Sequence, residues 1–198
     1  MPRVIGLTGN IACGKTTVGH MLLELGAERY IDADAIVHHL YDGGQPVAKQ
    51  VVKAFGPIIL AADGSIDRKA LGARVFQDAE AMRCLERIVH PAVAIAVMNE
   101  LTAVSENGIA IIDAVKLLEG GSAKLCRSKW LVVCSEEQEL ARLLARSSMT
   151  KQEALARLHA QPSISARLPL VDEVIDNSGS LEQTRRQVIR AFERFCTC

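Results

Sequence analysis

The chain has 198 residues, 23 Lys plus Arg against 23 Asp plus Glu, 49% hydrophobic residues and only 4% aromatics. That length suits one α/β domain carrying an insertion, and the core must be built mostly from Ala, Val, Ile and Leu. A net charge of zero excludes a nucleic-acid binder that works through bulk positive charge, and no apolar run is long enough for a membrane span. The six cysteines are scattered without a C-x-x-C pair and read as free, mostly buried thiols in a reducing cytoplasm. No leader peptide is expected, because the chain enters its first strand at once. The Cys196-Thr197-Cys198 tail reads as a frayed end.

The first strand is predicted over Val4–Thr8. It leads into Gly9-Asn10-Ile11-Ala12-Cys13-Gly14-Lys15-Thr16, which fits the pattern G-x-x-x-x-G-K-[ST] of a phosphate-binding loop. Thr17 and a run of good helix formers follow, so the motif has the strand before it and the helix after it that it requires. Gly9 and Gly14 allow backbone turns that a side chain would forbid. The N–H groups of the loop then converge on phosphate oxygens at the start of the helix, where the dipole also favours an anion. Lys15 is expected to bridge the β- and γ-phosphates of a bound nucleotide, and the Thr16 hydroxyl to hold Mg²⁺.

Four further strands are predicted at Glu28–Ile31, Ile109–Asp113, Lys129–Cys134 and Glu173–Asp176. Runs such as Ile109-Ala110-Ile111-Ile112 are continuously apolar, as in a parallel sheet buried on both faces. Helical stretches separate the strands, which is the βαβ pattern. The second strand ends in Asp32-Ala33-Asp34. Ligands of open α/β sheets lie beyond the carboxyl ends of the strands, so this acidic pair is expected to point toward the phosphate loop. Either residue can instead cap the helix that starts near Ala35. Asp113, at the end of the third strand, serves either a metal shell or a cap.

Between Tyr41 and Gly108 no strand is evident. Helices are expected at Val47–Phe55 and, capped by Asp67, at Arg68–Phe76, with a turn at Asp63-Gly64. A longer helical stretch, Ala79–Ser105, should be interrupted or kinked at His90-Pro91. The block is too long for a simple crossover and reads as a helical insertion. After the fourth strand, a helix over Ser135–Arg146 carries Arg142 and Arg146 four residues apart on one face and Leu140, Leu143 and Leu144 on another. A second helix, Lys151–Gln161, opens with a capping box of Thr150 and Glu153. The two arginines fit either a lid that closes over phosphates or a solvated face paired with Glu139. Asn177, just past the fifth strand, either faces a nucleotide base or sits in a turn before Gly179. An amphipathic helix from Leu181 to about Phe195 ends the chain.

Taken together, several stretches resemble the dephospho-CoA kinase family. They are Ile5–Gly9, Gly14–Thr17, Leu25-Gly26-Ala27, Ile31–Ala35, Phe55-Gly56, Asp63–Arg68, His90-Pro91, Arg142-Leu143, Arg146, Gln161 and Val174–Asn177. The resemblance runs from Val4 to Val188. It implies a single P-loop NTPase-fold kinase domain over 1–198, with a five-stranded parallel sheet flanked by helices. The core would be 1–40, 107–135 and 170–198, a helical CoA-binding insertion 41–106, and a helical lid 136–169. The implied reaction is ATP-dependent phosphorylation of the 3′-hydroxyl of dephospho-CoA, with Asp34 as base and Lys15 and Arg142 as further catalytic residues. The implied ATP site comprises Gly9, Asn10, Ile11, Ala12, Cys13, Gly14, Lys15, Thr16, Thr17, Arg142, Arg146 and Asn177, with Mg²⁺ on Thr16. Asp34, His90 and Lys116 would face the acceptor. The implied partners are ATP and dephospho-CoA, with no nucleic acid and no membrane, in a cytoplasmic monomer or weak homo-oligomer.

The chain departs from the family pattern in three places. Asn10 and Ala12 stand where the family usually has Gly, and Cys13 where it has Ser. These positions contribute backbone N–H groups, so the replacements are compatible with the loop if φ stays negative. A thiol at the helix N-terminus is also expected to have a lowered pKa and to be redox-sensitive. After the third strand, Asp113-Ala114-Val115-Lys116-Leu117-Leu118-Glu119 replaces the usual Asp-x-Pro-Leu-Leu-Phe-Glu, and Lys116 either meets a substrate phosphate or faces water. The competing functions are another P-loop nucleoside or nucleotide kinase and a non-catalytic nucleotide-binding module. A GTPase is excluded by the lack of an Asn-Lys-x-Asp guanine reader.

Overall fold

The computed structural model describes residues 1–76, 78–147 and 149–197, so Cys198 in the expected frayed tail lies outside it. The chain packs as two compact units, Met1–Asp32 with Glu100–Cys198, and Ala33–Asn99. The first unit holds five strands: β1 (Arg3–Gly9), β2 (Arg29–Asp32), β3 (Ile109–Asp113), β4 (Ser128–Val133) and β5 (Glu173–Asp176). They form one parallel sheet in the order β2-β3-β1-β4-β5. Each strand lies within one residue of its predicted bounds.

Helix α1 (Lys15–Glu24) follows β1 directly. Helices α2 (Ala33–Leu40), α3 (Pro46–Phe55), α4 (Arg68–Val75) and α5 (Ala79–Leu101) come next, then α6 (Glu136–Arg146), α7 (Lys151–His159), the short α8 (Ile164–Arg167) and α9 (Leu181–Thr197). The continuous apolar runs are buried as their pattern predicts: all five residues of β3 are buried. Ile5 and Leu7 of β1, Ile111 of β3, Trp130 and Val132 of β4 and Ile175 of β5 pack with Val18 and Leu22 of α1 and with Val188, Phe192 and Phe195 of α9. This core rigidly sets the carboxyl edge of the sheet. There Leu7 lies in register with Asp113, Gly9 with Val132, and Asp32 with Asp113.

The second unit is helical. Its core joins Tyr41, Val47, Val51, Phe55, Ile59, Ile66, Leu71, Val75 and Val89. The Asp63-Gly64 turn is closed by an antiparallel bridge between Leu60 and Ile66, and Asp67 caps α4 by accepting from the N–H groups of Lys69 and Ala70 at 2.9 and 3.1 Å. Helix α5 runs through Pro91 without a break, so of the two expectations at His90-Pro91 the interruption is not met. Pro91 has no N–H, so the carbonyl four residues earlier loses its usual donor, and the apolar residues on either side hold the helix together against that loss.

Candidate active site

The loop between β1 and α1 is shaped by where its backbone must pass. Gly14 caps α1 with φ 100°, a left-handed conformation, and a Cβ there would collide with the side-chain amide of Asn177. Only glycine meets both conditions. Ala12 also adopts a left-handed conformation, with φ 64°. The condition set for these replacements, a negative φ, is therefore not met at residue 12. The turn needs left-handed backbone at residue 12, and alanine bears the steric cost that glycine would avoid.

Asn177 and Arg142 clamp the bend of the loop. The Asn177 side-chain nitrogen donates to the Cys13 carbonyl at 2.9 Å, its side-chain oxygen accepts from the Thr184 hydroxyl at 2.9 Å, and its own N–H donates to the Val133 carbonyl at 2.7 Å. Arg142 donates to the carbonyls of Ala12 and Cys13 at 3.3 and 3.2 Å, and to that of Asn177 at 3.4 Å. Asn177 is thus buried and committed to the loop rather than turned outward toward a base. Arg146, one helical turn beyond Arg142, is exposed.

A second cluster lies at the start of α1. The Lys15 amine reaches the carbonyls of Gly9 and Asn10 at 3.3 and 3.5 Å and stands 4.0 Å from Oδ1 of Asp113. The Tyr30 phenol donates to Oδ2 of Asp113 and is hydrogen-bonded by the Thr16 side chain. Burial, and then the neighbouring Asp113 charge, push the Tyr30 pKa well above its usual value, so it stays a neutral donor. The Tyr30 ring reaches this position because residue 19 is glycine; a Cβ there would run into the ring. The imidazole of His20 stacks on Tyr30, with ring centroids 6.2 Å apart. Thr16 and Asp113 supply hard oxygen donors linked through one phenol, a set that suits Mg²⁺. Among the described residues no cluster of three His, Cys, Asp or Glu side chains could hold a metal.

Helices α6 and α7 pack on the tip of the loop. Ile11 and Ala12 lie against Leu140, Leu143, Leu144, Ala154 and Leu158, so the predicted apolar face of α6 covers the loop itself. The Ile11 N–H donates to the Gln161 side chain at 2.7 Å. The capping box of Thr150 and Glu153 is formed. Glu139 is 3% exposed and hydrogen-bonds the Asn10 side chain. It therefore does not sit on a solvated face with the arginines. Burial, partly offset by Asn10, raises its pKa. Arg167, the last residue of α8, is also buried and donates to Oδ1 of Asn10 at 3.2 Å.

The expected redox role of Cys13 is overturned. Its side chain is fully buried, and the loss of solvation pushes the pKa up to about 12 against the lowering effect of Lys15. A helix N-terminus activates a thiol only where water or a reagent can reach it.

Among the acceptor-side residues, Lys116 is exposed just beyond β3, and the Val115 carbonyl next to it accepts from the Thr8 hydroxyl at 3.0 Å. Asp34 and His90 belong to the helical unit: Asp34 is half-buried in the first turn of α2, and His90 is exposed on α5. Because α2 begins at Ala33, Asp32 rather than Asp34 precedes the helix. Sequence reasoning missed Tyr30 and Arg167, gave Glu139 only a place on a solvated face, and assigned no role to Gln161. All four act on the loop from distant points of the chain, and no local pattern marks them.

The fold and the phosphate-binding loop define a P-loop kinase. A shikimate kinase from Bacteroides thetaiotaomicron shares this fold at TM-score 0.51 and 14% identity, over 97% of each chain. More specifically, the family model described as "Dephospho-CoA kinase" matches residues 3–183, and the chain belongs to that family. Proteins named dephospho-CoA kinase from Symbiobacterium thermophilum and Carboxydothermus hydrogenoformans are 45% and 40% identical, over 98% and 97% of this chain and 82% and 94% of theirs. The crystal structure of TT1252 from Thermus thermophilus aligns at TM-score 0.83 and 30% identity, over 98% of this chain and 97% of that one.

Proposed function

We propose that this kinase transfers the γ-phosphoryl group of ATP to the 3′-hydroxyl of the dephospho-CoA ribose, giving coenzyme A and ADP. The observation that carries this reading is a phosphate cradle with Lys15 at its mouth, in a chain matched nearly end to end by proteins named for that acceptor. A fold shared with other kinases alone would leave the acceptor open.

The roles follow from the chemistry of each group. The loop N–H groups and the Lys15 ammonium bind the β- and γ-phosphates and stabilise charge as it shifts onto the leaving oxygen. Thr16, with Asp113 behind it, would hold Mg²⁺, which when bound neutralises phosphate charge and orients the β- and γ-oxygens. Asp34 accepts the proton of the ribose hydroxyl as its oxygen bonds to the γ-phosphorus and the bond to the β-phosphate oxygen breaks. Asp34 lies two residues past Asp32, the last residue of a strand whose carboxyl end is in register with Asp113, which supports its assignment as base. Arg142 braces the loop and adds positive charge to it, and Arg146 reaches the nucleotide from the same helix. Lys116 and His90 meet the anionic acceptor, while Asn177 holds the loop.

Incubation with ATP, Mg²⁺ and dephospho-CoA, followed by mass spectrometry, should yield coenzyme A. Efficient transfer to AMP, CMP, uridine or shikimate but not to dephospho-CoA would overturn the assignment. An Asp34→Asn variant should bind ATP normally and lose transfer.

A further inference from the structure

Among the described residues, a cation with no anion paired to it lies buried beside the phosphate loop. Arg167 is 2% exposed. One of its nitrogens, Nη1, donates to Oδ1 of Asn10 at 3.2 Å, while Nε and Nη2 are buried and have no hydrogen-bond partner among the described residues. It makes no ion pair among the described residues. A guanidinium is always charged and carries five donors. Burying it unpaired is costly unless an anion shares the site.

The position of Arg167 names the anion. Asn10 is the first residue after Gly9 in the loop, and its carbonyl also receives the Lys15 amine at 3.5 Å. Two cations therefore meet at one residue, Lys15 on the backbone oxygen and Arg167 on the side-chain oxygen. Asp113 stands 4.0 Å from the Lys15 amine, and the carboxyl on the asparagine itself is that of Glu139, whose pKa is raised by burial. Asn10 replaces the glycine usual in the resembling family, so the side-chain anchor for Nη1 is supplied by this chain's own substitution.

We propose that Arg167 is a phosphate-binding residue, held by Asn10 so that its Nε–H and Nη2–H donate to the phosphates of the bound nucleoside triphosphate. This rests on the reading of the loop as a triphosphate site. Planar, paired donors of this kind match phosphate oxygens in geometry as well as charge.

The test compares wild type with Arg167→Gln, using ATP, inorganic tripolyphosphate and adenosine as probes in calorimetry and thermal melts. The Kd for ATP and for tripolyphosphate should rise about tenfold in the variant, while the Kd for adenosine stays unchanged. Unliganded Arg167→Gln should melt no lower than wild type, because the change removes an unpaired buried charge. Asn10→Gly should weaken triphosphate binding by a smaller factor. Equal ATP and tripolyphosphate affinity in wild type and Arg167→Gln would overturn the assignment while leaving the loop reading intact. Failure of Arg167→Gln to fold, or equal loss of adenosine and triphosphate binding, would make the arginine structural. Absence of any triphosphate binding by wild type would end both readings.

Discussion

The side-chain nitrogen of Asn177 donates to the carbonyl oxygen of Cys13 at 2.9 Å, tying the end of β5 to the bend of the phosphate loop. The same amide accepts from Thr184 at the start of α9. One buried side chain thus couples the last strand, the last helix and the loop. Asn177→Ala deletes two buried hydrogen bonds, one to the Cys13 carbonyl and one from the Thr184 hydroxyl, at a cost of about 2 kcal/mol. The expected result is a Tm lower by roughly 4–8 °C together with weaker ATP binding. A variant that melts like wild type would show that this amide does not brace the loop.

Ala12 sits at φ 64°. Left-handed backbone costs an L-residue about 1–2 kcal/mol, and glycine gives back part of that gain as unfolded-state entropy. Ala12→Gly should therefore stabilise the protein by about 0.5–1 kcal/mol, read as a higher urea midpoint with unchanged slope. A lower midpoint would mean that the Ala12 methyl, packed against the Leu143 cluster, outweighs the strain.

The Cys13 thiol should resist modification in the folded enzyme and react freely in urea. Its folded pKa of about 12 lies above the ordinary value of 9.0, so the neutral thiol is the form that folding favours. The resulting stabilisation is complete below pH 9 and is lost as pH rises toward 12. Cys126 is shifted in the same direction by burial. Chemical denaturation across that window should show falling stability in wild type and a shallower fall in Cys13→Ala. Rapid labelling of native Cys13 at pH 8 would contradict this.

Lys15→Ala removes the ammonium that stands between the loop carbonyls and Asp113. Loss of one such preorganised charge lowers turnover by about 10²–10³-fold. Circular dichroism should be unchanged, because the amine contributes to no core contact. Near-normal turnover would remove Lys15 from the chemistry.

Tyr30→Phe keeps the ring against Gly19 and deletes only the hydroxyl that joins Thr16 to Asp113. Groups that orient metal-holding side chains typically change metal affinity by about tenfold or more. The Mg²⁺ needed for half-maximal tightening of ADP binding should rise by about that factor, with Mg²⁺-free ADP binding unchanged. An identical Mg²⁺ dependence in both proteins would assign the phenol to packing alone.

The order of residues by itself determined the strands, the loop and the caps. Those features depend on short-range rules: continuous apolar runs such as Ile109–Ile112, glycine at the turn, and Asp67 or Thr150 ahead of a helix. It also carried the family resemblance, because the motif residues lie in recognisable local strings. What the side chains around the loop do was decided only in three dimensions. Asn177 and Arg142 turned inward as clamps, Tyr30 came between Thr16 and Asp113, and Cys13 became inert. Each outcome depends on burial and on partners from distant segments, as when Arg167 meets Asn10, and neither desolvation nor a long-range contact is written in the neighbouring residues.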